Sequence, residues 1–460
     1  MRVIAIYLFL LSFSFMLIAQ ENPSNLIINT HARNYQSLNG SWDIIVDPYE
    51  TGYYNHRYLP SDDGYFKDAQ MKNTWDLVEY NFETSQKLQV PGDWNTQDDK
   101  LFFYEGTMWY RKVFNFNKKE NERAFLYFGA VNYETKVYLN GEIVGEHVGG
   151  FTPFNFEVTN KIKNGKNFVI LKVDNKRKRE GVPTVNTDWW NYGGLTRDVK
   201  VITTPETFIQ DYFVQLENGN TKRIKGWVRL NGSEGKQNVI LNIPEAGISK
   251  DVETDENGYG TFEIKSSLTL WSPENPKLYH VAINAETDKI HDEIGFRTIE
   301  VKGEDILLNG KSVFLRGICI HEETPFNGGR ANSAEDAKIL LGWAKKMNCN
   351  FVRLAHYPHN EYMTRMADKM GVLVWSEIPV YWTIYWDDPD VYANAENQLQ
   401  EMIHRDKNKA SVILWSVANE TPVNDTRLIF LSNLAEKARS IDPTRLITAA
   451  LDTQASDEEG

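Results

Sequence analysis

A polar pair closes an apolar segment late in the chain. Residues 411–420 read SVILWSVANE, which is typical of a buried strand of a parallel sheet that ends in Asn419 and Glu420. In barrels of parallel strands, residues at the carboxyl ends of the strands face the active site. We therefore predict Glu420 as a catalytic acid/base, held in a partly apolar wall beside Trp415, because burial favours the protonated form of a carboxyl group. Asn419 would bind a substrate hydroxyl; a structural role for Glu420, paired with a neighbouring helix, is the alternative.

A second apolar strand carries a cation. Arg353 lies within FVRLAHYPH, residues 351–359, and a charge on a buried strand needs a partner, which a neighbouring carboxylate would supply. Glu377, at the end of the third strand, is a candidate for a functional role and for simple pairing, and both remain open. We expect His356 to hydrogen-bond the substrate. A metal site at His356 and His359 is the alternative, but no third ligand accompanies them, so we predict neither a metal nor a cofactor.

Three further polar residues follow the first strand of this region. Arg316, His321 and Glu322 stand there in the sequence. For each of them a role in the site and a role in structural pairing remain open.

Strands and helices alternate after Lys302. The pattern predicts strands at residues 312–317, 350–354, 372–375, 411–415 and 446–450, and helices at residues 333–347, 361–370, 393–406 and 425–440. Such alternation indicates parallel βα units. We predict that residues 301–460 form the N-terminal part of a (β/α)8 barrel with about five strands. Because an open barrel wall exposes apolar strand faces, we expect residues 1–460 alone to be poorly soluble.

The preceding part of the chain reads as β structure. Apolar segments of strand length, bounded by turn residues, recur at residues 124–128, 134–139 and 168–173. Leu-Asn-Gly occurs at residues 38–40, 139–141, 230–232 and 308–310, and Asn-Gly between apolar runs favours a hairpin. We predict an antiparallel β domain at residues 20–203 and a second β unit, of about immunoglobulin-domain size, at residues 204–300.

The N-terminus predicts export. A short basic start is followed by an apolar run over residues 3–18, and Ala19 precedes polar residues, as in a secretory signal peptide of residues 1–19. The run is shorter than the roughly 20 residues that span a membrane. We therefore expect cleavage near Ala19, no membrane association afterwards, and a periplasmic or extracellular protein.

Composition narrows the classes of partner. A net charge of −13 without an extended basic block argues against nucleic acid. Aromatic residues make up 13% of the chain, as sugar-stacking surfaces require. The two cysteines, Cys319 and Cys349, either pair in an oxidising compartment or remain buried thiols. The sequence is compatible with a homo-oligomer but defines no oligomeric state.

Six segments together carry a resemblance to a known family. They are GGFTPF at residues 149–154, DWWNYGGLTRDV at 188–199, WSPENPKLY at 271–279, GFR at 295–297, NFVRLAHYPH at 350–359 and WSVANE at 415–420. In this order they resemble glycoside hydrolase family 2, the family of β-galactosidases, β-mannosidases and β-glucuronidases. The resemblance implies a multidomain fold with a sugar-binding β-sandwich jelly roll, an immunoglobulin-like β-sandwich and a (β/α)8 TIM barrel.

The resemblance also implies catalytic roles. Glu420 would be the acid/base, with Asn419 beside it on the sugar 2-hydroxyl. Family members place a nucleophilic glutamate at the end of the seventh barrel strand, and β-glucuronidases read the substrate carboxylate with an Asn-x-Lys motif after it. Both would lie beyond Gly460, so we expect no nucleophile in this chain and a barrel that lacks its last third. Retaining hydrolysis needs two carboxyl groups about 5–5.5 Å apart.

Residues 188–192 and 353–359 look most like those of β-glucuronidases. In that subgroup the residue matching Asp188 reaches from the first domain to a sugar hydroxyl, and the residue matching His356 lines the pocket. Trp189, with the tryptophan after it, would stack on sugar faces or form a core at a domain junction. We predict a retaining exo-β-glycosidase that hydrolyses terminal β-linked sugars, above all β-D-glucuronides, in polysaccharide or oligosaccharide breakdown. A β-galactosidase of the same family and a non-catalytic, truncated carbohydrate-binding protein are the alternatives.

Overall fold

The computed structural model describes residues 25–452, apart from residues 72, 74, 76, 77, 79, 325 and 327. The predicted signal peptide, residues 1–19, lies outside the described residues, as does the tail from residue 453 onward. Among the described residues, no helix combines the length and the apolar character needed to cross a membrane.

The first domain packs two antiparallel sheets face to face. Its strands are β1 (Asn34–Ser37), β2 (Gly40–Val46), β3 (Gln86–Val90), β4 (Thr107–Phe116), β5 (Glu122–Phe128), β6 (Glu134–Leu139), β7 (Glu142–Val148), β8 (Phe154–Glu157), β9 (Gly165–Asp174) and β10 (Val199–Pro205). The strand orders are β3-β2-β4-β9-β6-β7 and β1-β10-β5-β8. Trp42 and Leu171 from the larger sheet meet Leu126 and Val201 from the smaller one in a buried core. The predicted β-sandwich is confirmed.

The second domain is a smaller antiparallel sandwich. Its strands are β11 (Phe208–Leu216), β12 (Arg223–Asn231), β13 (Asn238–Ile243), β14 (Ile248–Glu253), β15 (Tyr259–Lys265), β16 (Tyr279–Asn284) and β17 (Lys289–Ile294). The sheets have the orders β11-β12-β15 and β14-β13-β16-β17. Val214 and Ile224 of one sheet pack with Val239 and Val281 of the other. Seven strands in two sheets agree with the predicted immunoglobulin-like unit.

A parallel sheet flanked by helices follows a short antiparallel one. The antiparallel strands are β18 (Ile299–Lys302), β19 (Asp305–Leu308) and β20 (Lys311–Ser312). The parallel strands are β21 (Gly317–Ile320), β22 (Phe351–Leu354), β23 (Leu373–Glu377), β24 (Val412–Thr421) and β25 (Leu446–Leu451). The helices are α1 (Ala334–Lys346), α2 (Glu361–Met370), α3 (Pro389–Asp406) and α4 (Asp425–Ile441). The five strands pair in chain order and all in parallel, which confirms the predicted βα units.

The first strand of this region begins later than predicted. The sequence suggested a strand over residues 312–317, but β20 ends at Ser312 and β21 starts only at Gly317. Between them, Asn350 takes the place of a neighbouring strand: its Oδ1 accepts a hydrogen bond from the backbone N–H of Arg316 at 2.8 Å. A side chain thus satisfies this N–H in place of a ladder bond, and the predicted strand is interrupted.

Local capping signals define two of the helices as predicted. Ser333 is the N-cap of α1, where its Oγ accepts from the backbone N–H of Asp336 at 3.1 Å, and the Asp336 carboxylate accepts from the Ser333 N–H at 3.1 Å. This reciprocal pair is a capping box. Gly371 ends α2 with φ at 68°, a left-handed conformation that glycine adopts without strain.

Helix α3 begins four residues earlier than the predicted residue 393. Asp388 is its N-cap, and its Oδ1 accepts a hydrogen bond from the backbone N–H of Asp390 at 2.8 Å. Pro389 occupies the first helical position, where a missing N–H costs nothing. The Asp-Pro pair was therefore the true start signal.

Only two of the four Asn-Gly pairs form hairpin turns. Asn140-Gly141 joins β6 to β7, and Asn309-Gly310 joins β19 to β20, with positive φ at all four residues. The other two pairs lie between strands of different sheets, β1 and β2 in the first domain and β12 and β13 in the second. A turn signal of this kind therefore does not identify which strands pair.

The two cysteines are separate thiols. Cys319 is exposed on β21 and Cys349 is half-buried before β22, and both are free. The sequence left a disulfide and two buried thiols open; the structure forms no disulfide between them, and neither thiol is fully buried.

Candidate active site

The carboxyl ends of four neighbouring strands bring the candidate residues to one edge of the parallel sheet. His321 follows β21, His356 follows β22, Glu377 ends β23, and Glu420 lies near the end of β24. Since parallel strands share their direction, these ends lie side by side. The topology therefore confirms that side chains far apart in the sequence share one face of the barrel segment.

Glu377 is the centre of a buried polar network. Its side chain is fully buried and accepts hydrogen bonds from Arg353 Nη2 at 2.7 and 2.9 Å, from Ser416 Oγ at 2.6 Å and from Trp375 Nε1 at 3.0 Å. The Nδ1 atom of His356 lies 2.9 Å from Glu377 Oε1. Arg353 thus has the carboxylate partner that its place on an apolar strand requires. For Glu377, the structure favours the pairing role that the sequence left open.

Glu420 lies in a different environment from the predicted one. Its side chain is exposed, and its Oε2 accepts a hydrogen bond from the indole N–H of Trp382 at 3.1 Å. Trp415 points elsewhere: it is fully buried and donates to Asp442 Oδ2 at 2.9 Å. The expectation of a partly apolar wall at Trp415 is therefore wrong.

Asn419 presents one free donor to the site. Its Oδ1 accepts a hydrogen bond from Arg353 Nη2 at 2.6 Å, which orients the amide. Its Nδ2 is buried and finds no partner among the described residues. The backbone is held on both sides, because Asn419 N–H donates to Val380 at 2.8 Å and Trp382 N–H donates to the Asn419 carbonyl at 3.0 Å. A buried, oriented and unpaired N–H₂ group is suited to a ligand hydroxyl.

Asp188 reaches the barrel from the first domain. It lies on the loop between β9 and β10, its side chain is exposed, and it accepts a hydrogen bond from the phenol of Tyr381. Burial of the Tyr381 ring raises the pKa of its hydroxyl above the ordinary value, and the Asp188 carboxylate raises it further. This hydroxyl therefore stays protonated and remains a donor. Asp188 is also within ligand distance of His321 and His356: one carboxylate oxygen and one nitrogen of each ring all lie within 4.8 Å of one another.

The two tryptophans after Asp188 face different surroundings. Trp189 is half-buried, with ring centroids 4.9 Å from Tyr381 and 6.1 Å from His356, so it lines the site. Trp190 lies against Phe102 at 4.7 Å, away from the histidines. Trp189 is therefore the half-buried aromatic ring that lines the site, and it packs against the buried ring of Tyr381.

Of the three residues that sequence analysis left open, one belongs to the site. His321 faces His356 at a distance of 5.5 Å between the ring centroids. Burial lowers the pKa of the His321 ring, and the nearby His356 lowers it further. Glu322 is buried and pairs with Arg197 of the first domain at 3.0 Å. Arg316 precedes β21, and so stands at the opposite end of that strand, where it donates to the Asn348 carbonyl at 3.3 Å.

His359 is a core residue. It is fully buried, and its Nε2 donates to the Ala355 carbonyl at 3.0 Å. Burial lowers its pKa to about 3, so the ring is neutral. The alternative of a metal site at His356 and His359 is not supported, because His356 groups with Asp188 and His321 instead.

Sequence analysis missed Tyr381 and Trp382. Both lie in the segment after β23, which pairs with the end of β24, and they contact Asp188 and Glu420 respectively. Aromatic residues directly after a barrel strand were an available signal, since such loops build the active sites of barrels.

Comparisons with known proteins agree with this architecture. Three family models match the chain: "Glycosyl hydrolases family 2, sugar binding domain" at residues 35–205, "Glycosyl hydrolases family 2" at residues 198–297, and "Glycosyl hydrolases family 2, TIM barrel domain" at residues 299–458. The chain belongs to glycoside hydrolase family 2. Its domains are thus a sugar-binding β-sandwich, an immunoglobulin-like sandwich and part of a TIM barrel.

The similar proteins and solved structures are named as β-glucuronidases or β-galactosidases. The chain is 31% identical over 405 residues to a β-glucuronidase of Paenibacillus borealis, covering 78% of this chain and 67% of that protein. It is 28% identical over 438 residues to a β-galactosidase of Thermoanaerobacterium thermosulfurigenes, covering 89% and 57%. A crystal structure of Ruminococcus gnavus β-glucuronidase in complex with uronic isofagomine aligns with a TM-score of 0.81 and 26% identity, over 95% of this chain and 76% of that one. The chain spans from about half to two thirds of the length of the curated relatives that it matches.

Proposed function

We propose that this chain carries the acid/base half of a retaining exo-β-glycosidase that acts on terminal β-D-glucuronides. The observation that carries the proposal is the end of β24, where Glu420, with an exposed side chain, directly follows Asn419, whose Nδ2 has no hydrogen-bond partner among the described residues. In this mechanism Glu420 protonates the leaving glycosidic oxygen and later takes a proton from the attacking water. The indole N–H of Trp382 orients the carboxyl group for both steps.

The remaining side chains of the site bind and orient the sugar. Asn419 Nδ2 donates to the 2-hydroxyl, and Asp188 accepts from another hydroxyl while Tyr381 holds its carboxylate. His356 and Trp189 form the adjoining wall. Arg353 and Glu377 act as positioning residues, because Arg353 orients the amide of Asn419 and Glu377 holds Nδ1 of His356.

The nucleophile of a retaining reaction is assigned to none of the described carboxylates. Glu377, at the same edge of the sheet as Glu420, is buried and already bound by Arg353, Ser416 and Trp375. A carboxylate bound in this way is a poor nucleophile, because attack would break an ion pair in a buried site.

The choice of sugar rests on the relatives. β-Glucuronidases occur both among the curated relatives and among the solved structures, which supports the glucuronide. β-Galactosidases of Thermoanaerobacterium and Thermoanaerobacter also match, at 28% and 30% identity, and they favour a β-galactoside as the second candidate. A carbohydrate substrate is common to both.

Export is part of the proposal. The apolar N-terminal run before Ala19 supports secretion across the inner membrane, with the mature protein periplasmic or extracellular. A protein in that compartment meets polysaccharide and oligosaccharide outside the cytoplasm.

The experiment that tests the function combines binding with turnover. Binding of glucuronate and of galactose to the full chain is measured by calorimetry, and chromogenic β-D-glucuronide and β-D-galactoside are offered as substrates, with Glu420→Gln as the matched variant. Tighter binding of glucuronate supports the glucuronide, and tighter binding of galactose supports the second candidate. Turnover that persists in Glu420→Gln contradicts the acid/base role, and binding of neither sugar contradicts the site.

A further inference from the structure

Three side chains at the mouth of the barrel converge as metal ligands do. Asp188, His321 and His356 come from three separate loops, and one ligand atom of each lies within 4.8 Å of the others. Two imidazoles and one carboxylate are a ligand set that suits Zn²⁺ and its neighbours better than Mg²⁺ or Ca²⁺, which take oxygen ligands. The set includes no cysteine, although exposed Cys319 stands close by in the sequence.

Each histidine is oriented through its Nδ1 atom. His356 Nδ1 lies 2.9 Å from Glu377 Oε1, and His321 Nδ1 lies 3.3 Å from Tyr357 Oη. Neither Nε2 atom has a hydrogen-bond partner among the described residues. A histidine whose Nδ1 is held by a carboxylate or another polar group offers Nε2 to a metal, and such outer partners fix the ring and strengthen the ligand.

The charges around the three residues allow a cation. Arg353 is the cation next to His356, and Glu377 neutralises it through a double contact. Glu420 is close enough to Tyr381 to act on that phenol, so it adds negative charge to the same mouth.

We propose that Asp188, His321 and His356 bind a divalent transition-metal ion, with Zn²⁺ as the representative, in the pocket assigned to the sugar. Bonds of about 2.0–2.2 Å bring the ligand atoms of a tetrahedral site to about 3.4 Å of one another. Asp188 has an exposed side chain, so it can make the inward adjustment although Tyr381 donates a hydrogen bond to its carboxylate. Three protein ligands leave a fourth position for water. The metal and the sugar would then compete for the same pocket. Only this competition rests on the proposed function; the metal site itself does not.

The test is direct binding of zinc to the full chain, without substrate. Zinc chloride is titrated by calorimetry into the chelator-treated protein, and we expect one site. Asp188→Asn and His321→Gln are each expected to weaken zinc binding by more than about tenfold, since even outer-shell substitutions cost that much. Zinc should also raise the melting temperature of the wild type but not that of Asp188→Asn.

Two controls separate this site from adventitious ones. The double variant His280→Gln/His291→Gln removes a ring pair 5.4 Å apart in the second domain, and Cys319→Ser removes the exposed thiol near His321. Both should bind zinc as the wild type does. The proposal is overturned if the wild type binds no zinc, if binding survives in Asp188→Asn and His321→Gln, or if it is lost in either control. Should His321→Gln fail to fold, the exposed Asp188 decides the matter.

A competition experiment links the metal to the sugar. Glucuronate at saturating concentration should weaken the apparent zinc affinity of the wild type by mass action. Zinc binding that is lost in Asp188→Asn but insensitive to glucuronate supports the metal site and contradicts the sugar pocket. The two proposals therefore fail separately.

Discussion

Arg197 of the first domain donates hydrogen bonds to both carboxylate oxygens of Glu322 in the barrel, at 3.0 and 3.2 Å, and both side chains are buried. The same guanidinium donates to the Pro358 carbonyl at 2.6 Å, two residues beyond His356. Burial acts to raise the pKa of Glu322, but the guanidinium groups of Arg197 and Arg330 more than offset it and hold that pKa below its ordinary range. The ion pair thus fastens the first domain to the segment that carries His356.

We expect Arg197→Met to destabilise the protein strongly. The substitution leaves the Glu322 carboxylate buried without its main partner, and breaking a buried pair from one side costs about 3–5 kcal/mol. The free energy of unfolding in urea measures the loss. Lys236→Met is the matched control, because Lys236 forms an exposed pair with Glu256 at 3.3 Å, and its loss should cost less than about 1 kcal/mol. Equal effects of the two substitutions would contradict the anchoring role.

We expect substitutions of Glu377 and Glu420 to differ in their effect on stability, because Glu377 supports the fold and Glu420 is assigned to the chemistry. Glu377→Gln removes the buried charge that pairs with half-buried Arg353, so we expect a loss of about 3 kcal/mol in the free energy of unfolding. Glu420→Gln changes an exposed side chain and should leave that free energy within about 0.5 kcal/mol of the wild type. Urea unfolding of both variants distinguishes them. A destabilised Glu420→Gln would place Glu420 in the fold instead of the chemistry.

The contact between Asn419 and the sugar can be tested with a matched pair of ligands. Asn419→Ala removes the free Nδ2 donor, and we expect weaker binding of glucuronate by about fivefold to tenfold, which corresponds to one hydrogen bond of about 1 kcal/mol. For 2-deoxyglucuronate, which lacks the acceptor, the same substitution should have no further effect. Calorimetry on both proteins with both ligands completes the double cycle. An equal loss with both ligands would show that Asn419 acts only through Arg353.

Much of the fold could be predicted because its signals are local. Each of these signals lies within a few residues of the element that it defines. They are the capping box at Ser333, the left-handed glycine at Gly371 that ends α2, and the apolar runs of the parallel strands. The start of α3 was equally local, at Asp388 and Pro389, and was missed. The pairing of Arg353 was predictable because a charge on an apolar strand needs a partner.

The contacts of the site depend on tertiary structure and could not be predicted. Glu420 meets Trp382 and Asp188 meets Tyr381 only because the segment after β23 pairs with the end of β24. The register of β24 also shifts near its end, between Ser416 and Thr421, so simple alternation does not fix where Glu420 points. Nothing in the spacing of these residues encodes those contacts.

Buried His359 should make the protein less stable in acid. Its pKa is about 3 in the folded state because of burial, whereas an unfolded histidine titrates near 6.5. The unfolded chain therefore binds a proton that the folded one refuses, and stability is lost as the pH falls below 6.5 towards 3. Between pH 7 and pH 5 this one residue should account for about 2 kcal/mol.

The pH effect is isolated with His359→Gln, which keeps a donor for the Ala355 carbonyl but does not titrate. We expect the free energy of unfolding of the wild type to fall by about 2 kcal/mol more than that of the variant between pH 7 and pH 5. His56→Gln, a change at an exposed loop, should behave as the wild type does. An equal fall in the free energy of unfolding of His359→Gln and the wild type would contradict this prediction. It would show that His359 is protonated in the folded protein, so that the ring stacked 5.3 Å from Tyr357 is charged instead of neutral.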